Sequence, residues 1–198
     1  MKVRAASPVI LCAVTLLVLW LGVGVRADSE ARLENLGVRL DGQKLLVTCR
    51  LSGAFTDDFR ERLQSGLPTP LIYRFVLERQ RRSWFDASVA RSRVQVVAMY
   101  NAVTSEYLIN YKHDGELVQS KVVRDADELE RAMTELDDFP MFVHGGRGRK
   151  DDDYYVRASA EHGTRTILAF IPRTLSTDWV RTEPLRLGTE SLLLSAEP

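Results

Sequence analysis

The chain has 198 residues, with 27 basic and 27 acidic side chains, a formal net charge of +0 and 45% hydrophobic content. That length fits one domain with a real core and leaves little room for two, and the balanced charge argues against general affinity for nucleic acid. Only two cysteines are present, Cys12 and Cys49, with Cys12 inside the apolar N-terminal stretch; a disulfide framework is excluded and stability has to come from packing.

Lys2 and Arg4 precede a nearly uninterrupted apolar run from Val9 to Val25, and Val25-Arg26-Ala27 puts small or short residues where a signal peptidase cleaves. Residues 1–27 are therefore expected to be a signal peptide and 28–198 a single β-rich domain, exported to the periplasm or cell envelope. The alternative is an uncleaved anchor, because the run approaches the lower limit for crossing a bilayer; contact with a membrane is expected only in that case. Cys12 follows Val9-Ile10-Leu11 with no small residue before it, which does not fit a lipid-attachment cysteine. Cleavage removes Lys2, Arg4 and Arg26 and no acid, so the mature chain is slightly acidic.

Leu33 to Leu40 and Leu45 to Leu51 flank Asp41-Gly42, a two-residue hairpin signal, since both positions tolerate positive φ. Leu45, Val47, Cys49 and Leu51 then share one face by period two, which makes Cys49 a core residue before it is a reactive thiol. Thr56, followed by Asp57 and Asp58, predicts a helix N-cap, with Phe59 and Leu63 on the buried side and Gly66 and Pro68 as the stop.

From Gly66 to Tyr111 the apolar residues alternate through three segments, predicting a β-meander. Leu71, Tyr73, Phe75 and Leu77 line one face of the first strand, Val94, Val96, Ala98 and Tyr100 the second, and Tyr107, Ile109 and Tyr111 the third. A turn at His113 to Glu116 leads to a fourth strand over Val118 to Val122, all expected to pair antiparallel. Asp125 with Glu128 forms a capping-box-like start for a helix whose Leu129, Ala132, Met133 and Leu136 fall at i, i+3, i+4 and i+7 and should lie on the sheet. Residues 144–153 read as a flexible, glycine-rich charged loop. Tyr154, Val156, Ala158 and Ala160 resume alternation, Gly163-Thr164 is read as a turn, Thr166 to Ile171 as another strand and Trp179 to Thr182 as a last edge strand before an unassigned tail. The fold class expected is mainly β: an antiparallel β-sandwich-like domain with two short helices packed at its edge or face.

The sequence contains no G-x-S-x-G elbow, H-E-x-x-H, C-x-x-C or G-x-G-x-x-G. The 144–150 stretch lacks the Gly-Lys-Ser/Thr ending of a P-loop, and Asp151-Asp152-Asp153 lacks the alternating spacing of an EF-hand. His113, His144 and His162 all fall in predicted turns, scattered along the chain, and are expected to hold no metal. No catalytic residue and no cofactor is expected. The segment Arg79-Gln80-Arg81-Arg82-Ser83-Trp84-Phe85-Asp86 supports two readings: recognition of an acidic or phosphorylated partner, or a solvated hairpin end whose Trp84 plugs the rim of the sandwich. The candidate binding residues are Arg79, Arg81, Arg82 and Trp84. The leading function class is a non-catalytic binding or interaction module. A carrier of an apolar small molecule, held between the sheet and the Leu129 to Leu136 helix, is the alternative, and a hydrolase the least supported.

The order of Ser65-Gly66-Leu67-Pro68, the Pro70 to Asp86 stretch PLIYRFVLERQRRSWFD, the hairpin AMYNAVTSEYLI from Ala98 to Ile109 and the capped helix DADELERAMTEL from Asp125 to Leu136 resembles an exported bacterial family, domain of unknown function 4390. The resemblance spans about Leu33 to Trp179, and the Arg147 to Asp153 stretch departs from it. It implies a single β-rich envelope protein with no assigned activity, and a membrane sensor kinase of the nitrogen-regulation type as a protein partner, with a role linked to envelope sensing. It supplies no catalytic residue.

Overall fold

The computed structural model describes residues 31–81, 86–143, 153–167 and 171–186; the expected signal peptide at 1–27 lies outside them. The first hairpin forms as its pattern demands: β1 (Arg32–Asp41) pairs antiparallel with β2 (Lys44–Ser52). Its turn sits one residue later than Asp41-Gly42, because Asp41 is still paired with Lys44 and the positive φ of 56° falls on Gly42. Leu45, Val47, Cys49 and Leu51 are all buried, as period two requires.

Helix α1 (Asp57–Gln64) begins where Thr56 Oγ1 accepts the Phe59 N–H at 3.2 Å, and Phe59 and Leu63 are its buried residues. It ends at Gly66, whose φ of 78° is the left-handed conformation that glycine adopts most easily. The meander follows as β3 (Thr69–Arg79), β4 (Ala87–Asn101), β5 (Glu106–His113) and β6 (Glu116–Val123), with Leu71, Tyr73, Phe75, Val94, Val96, Ala98 and Ile109 at or below 1% exposure.

Helix α2 (Ala126–Thr134) is capped by Asp125, whose Oδ1 accepts the Glu128 N–H at 2.8 Å. It is shorter than its apolar periodicity suggests. Leu136 belongs to the next element, β7 (Glu135–Val143), where it pairs with Cys49. The pattern at this junction is ambiguous because Leu136 serves as i+7 of a helix and as an inward strand position alike. Pro140 disguises β7 further, and it is tolerated because β7 is an edge strand of the three-stranded sheet β1-β2-β7.

The second sheet has β8 (Asp153–Ile167), β3, β4, β5 and β6 in that order. Gly163-Thr164 is not a turn: β8 runs straight through it, with only a register shift between Glu161 and Gly163 against β9 (Ile171–Ser176). The chain reverses after Ile167, which pairs with Ile171. The far edge of β8 is covered in succession by β9, β10 (Val180–Arg181) and β11 (Leu185–Arg186), so the last edge strand is shorter than Trp179 to Thr182. Among the described residues all strand pairings are antiparallel, and the domain is mainly β with two helices and two sheets. Helix α2 touches β2 and β7 of one sheet and β4 and β5 of the other. Among the described residues no helix is long and apolar enough to cross a membrane.

Candidate functional site

Because Tyr73, Phe75 and Leu77 point inward, the alternate residues Arg74, Val76 and Glu78 of β3 must face out. Register then decides what stands beside them. Arg74 is opposite Arg93 on β4 and Ser159 on β8, while Val76 is opposite Arg91 on β4 and Arg157 on β8. Four arginines, from segments as far apart as residues 74 and 157, therefore share one patch of sheet.

This patch lines a cavity of about 500 Å³ together with Glu78, Asp114 and Trp179. Trp179 arrives by way of the C-terminal segment. Thr177 N–H donates to Ala160 O at 2.8 Å and Ala160 N–H to Thr177 Oγ1 at 3.0 Å; Thr182 makes the same reciprocal pair with Val156 at 2.9 and 3.1 Å. These clamps hold the Trp179 ring 5.0 Å from the Arg157 guanidinium, and the ring remains 45% exposed.

The charges in the cleft are unequal in their engagement. Arg74 is paired with Glu161, and Arg157 lies 3.4 Å from Glu78. Asp114 is occupied by the Arg93 backbone N–H at 2.7 Å. Arg91 and Arg93 are exposed, and neither guanidinium has an acidic partner among the described residues. Two arginines on one face of a strand, neither of them in an ion pair, repel each other, and an anion brought between them relieves that repulsion.

Of the predicted binding residues, Arg79 and Arg81 lie at the end of the same strand. Arg79 closes β3 opposite Ala87 and Tyr154. Arg81 donates its backbone N–H to Asp86 Oδ1 at 3.1 Å. Arg82 and Trp84 lie outside the described residues. The base of this hairpin is pinned: the Tyr155 hydroxyl stands 2.5 Å from Asp86 Oδ2 and 2.7 Å from Glu78 Oε2. The hydrogen bond from Tyr155, helped by the Arg81 amide, holds the Asp86 carboxyl below its usual range. Burial first, then the two carboxylates, push the Tyr155 phenol up. Glu78 links the two features, since it lines the cleft and meets Tyr155.

The predicted turn histidines fare differently. His113 closes β5 and His162 lies inside β8; His144 is outside the described residues. His113 Nε2 stands 2.6 Å from Ser92 Oγ and 3.4 Å from Asp114 Oδ2. A serine, a histidine and an aspartate thus meet, but on one ring nitrogen, whereas a relay needs the acid on one nitrogen and the nucleophile on the other. Ser92 is also buried, with Met141 Sδ at 3.8 Å. The group packs against β7 of the other sheet, with the His113 ring edge-on to Phe139 at 6.0 Å. No group of three or more metal-ligating side chains is found among the described residues.

The residues expected to line an apolar seat beneath α2, Leu129 and Met133 on the helix and Leu136 on β7, are 3, 0 and 2% exposed. Sequence patterning missed the arginine cleft because Arg74, Arg91, Arg93 and Arg157 are single outward residues in alternating strands and make no local run. The only local trace is the Arg91-Ser92-Arg93 spacing, which puts two cations on one face.

The family described as a domain of unknown function (DUF4390) matches residues 28–179 of the chain. No curated protein and no solved structure matches.

Proposed function

The chain belongs to the DUF4390 family, and we propose that it is a non-catalytic binding module of the cell envelope whose arginine cleft takes an acidic segment of a partner protein. The observation that carries this reading is the pair of guanidinium groups on Arg91 and Arg93, exposed beside a cavity of about 500 Å³ and without acidic partners among the described residues. An acidic side chain entering the cleft meets arginine forks from two or three strands, and Trp179 offers a flat apolar wall for the neighbouring residue. Arginine and tryptophan are the side chains most often found at energetic centres of interfaces. Arg79, the last residue of the same strand, and Arg81, just beyond it, add basic groups for the partner to meet. Export, and a membrane sensor kinase as the partner that presents the acidic segment, complete the reading and link it to envelope sensing.

The test pairs a defined probe with capture. A fluorescein-labelled oligo-glutamate peptide should bind the protein in an anisotropy titration, weaken as salt is raised from about 50 to about 300 mM as screening of a charged contact requires, and be lost in the Arg91→Glu/Arg93→Glu variant. The matched oligo-glutamine peptide should not bind. Crosslinked capture from the envelope fraction should then yield a membrane protein with wild-type bait and not with the variant. Equal binding of both peptides, or capture untouched by the double substitution, rejects the cleft as the recognition surface.

A further inference from the structure

A second cavity, of about 370 Å³, lies at the opposite end of β3 from the Arg79 to Arg81 hairpin, where the chain leaves α1 and meets β8 and β9. Its volume falls within the ~300–1,000 Å³ range of small-ligand sites. Pro68, Pro70 and Ile72 give it an apolar wall, and Arg62 from the last turn of α1 also lines it. Arg62 carries the one buried side-chain polar atom without a hydrogen-bond partner among the described residues, its Nε.

The guanidinium is held in place rather than left to wander. It packs over the Phe59 ring at 5.9 Å and against Gly163 of β8, where a β-carbon would stand only 3.4 Å from Nη2. Its acidic contact is loose: Asp58 Oδ2 is 3.6 Å from Nη2, and the Asp58 side chain is 78% exposed. Glu161, the acid inside the cavity, is committed to Arg74 on the outer face. A positioned arginine with a buried orphan Nε donor, on the lining of a cavity that also has an apolar wall, lacks one thing, a planar acceptor with two oxygens.

We propose that this cavity binds a small carboxylate whose two oxygens take the Nε–Nη2 edge of Arg62 while its apolar body rests on Pro68, Pro70 and Ile72. The pairing is the bidentate fork-to-fork contact that arginine makes with carboxylates, and it satisfies a donor that the fold leaves unmet. Because the guanidinium is already fixed by Phe59 and Gly163, little side-chain freedom is lost on binding. Asp58 turns outward to water as the ligand replaces it. The site is separate from the arginine cleft, and its test avoids Arg74, which borders both through Glu161.

The experiment titrates the isotope-labelled protein with benzoate, with benzamide as the neutral isostere, following the amide resonances of Gly163 and Thr164. Benzoate should give saturable shifts at millimolar concentration, and benzamide should bind at least tenfold more weakly. Arg62→Met keeps the aliphatic packing over Phe59 and removes the unmet donor, so it should fold and lose benzoate binding by tenfold or more. Arg62→Lys keeps the charge and removes the fork; it should also lose most of the affinity, and it decides the matter should Arg62→Met fail to fold. Arg91→Glu/Arg93→Glu should bind benzoate as the wild type does. Absence of saturable shifts, equal binding of benzamide, or benzoate binding retained without the Arg62 fork overturns the proposal.

Discussion

The phenol of Tyr73, fully buried in the middle of the eight-stranded sheet, donates a 2.8 Å hydrogen bond to the backbone carbonyl of Met133. Met133 lies in the last turn of α2, where carbonyl groups have no partner within the helix. Tyr111 does the same for the neighbouring carbonyl of Ala132 at 2.6 Å. Two tyrosines from β3 and β5 therefore cap the C-terminus of the helix that joins the sheets, a task that a glycine motif performs elsewhere.

Tyr73→Phe leaves the Met133 carbonyl buried and unmet, and should destabilise the domain by about 1–3 kcal/mol. Tyr111→Phe, at a hydroxyl that is partly buried, should cost less, about 0.5–1.5 kcal/mol. Urea unfolding with an unchanged slope measures both. A larger loss for Tyr111→Phe than for Tyr73→Phe would contradict the role of burial in this cap.

Gly66 ends α1 with a φ of 78°, and a β-carbon there would stand 3.4 Å from the Tyr100 carbonyl oxygen. Gly66→Ala should therefore destabilise by about 1–2 kcal/mol through the left-handed backbone alone. Gly37→Ala, which would meet nothing within 4 Å and has no positive φ, is the control and should be close to neutral. Thermal melts of the two variants check the contrast.

The hairpin base should respond to acid and alkali in opposite senses. Asp86 has a depressed pKa in the folded protein, mainly through Tyr155, so its contribution is fully present above about pH 4 and is lost as pH falls through the folded value. The raised phenol of Tyr155, buried and facing two carboxylates, gives the mirror case: its contribution is fully present below about pH 10 and lost as pH rises through the folded value. Tyr155→Phe should bring the Asp86 carboxyl back toward its ordinary range, seen in a carboxyl-carbon NMR titration. An Asp86 titration unmoved by Tyr155→Phe would refute the coupling.

Burial pushes the Cys49 thiol up to about 12, so almost no thiolate exists at neutral pH to react. Iodoacetamide at about pH 8, near the ordinary thiol range, followed by peptide mass mapping should leave Cys49 unmodified in the folded protein and alkylate it fully in denaturant. Cys49→Ser should destabilise more than Cys49→Ala, because the hydroxyl would sit in the apolar layer between Val47 and Leu51. Alkylation of Cys49 in the native state would mean that β2 and β7 open readily.

What the sequence alone determined was whatever neighbours along the chain settle. Thr56 and Asp125 cap their helices through amides three residues away, and Leu71 to Leu77, Val94 to Ala98 and Leu45 to Leu51 choose their buried face by alternation. Residues 163–164 misled because glycine and threonine suit a turn as well as a bulged strand, and only the pairing of β8 with β9 selects between them. Leu136 misled because a helical seventh position and an inward strand position look alike until β2 presents Cys49 beside it. The cleft was illegible for a stronger reason. Arg74, Arg91, Arg93 and Arg157 are ordinary outward residues in their own strands, and they become one basic surface only when antiparallel register sets β4 and β8 on either side of β3. Period two decides which way a side chain faces; only tertiary pairing decides what charge it will face beside.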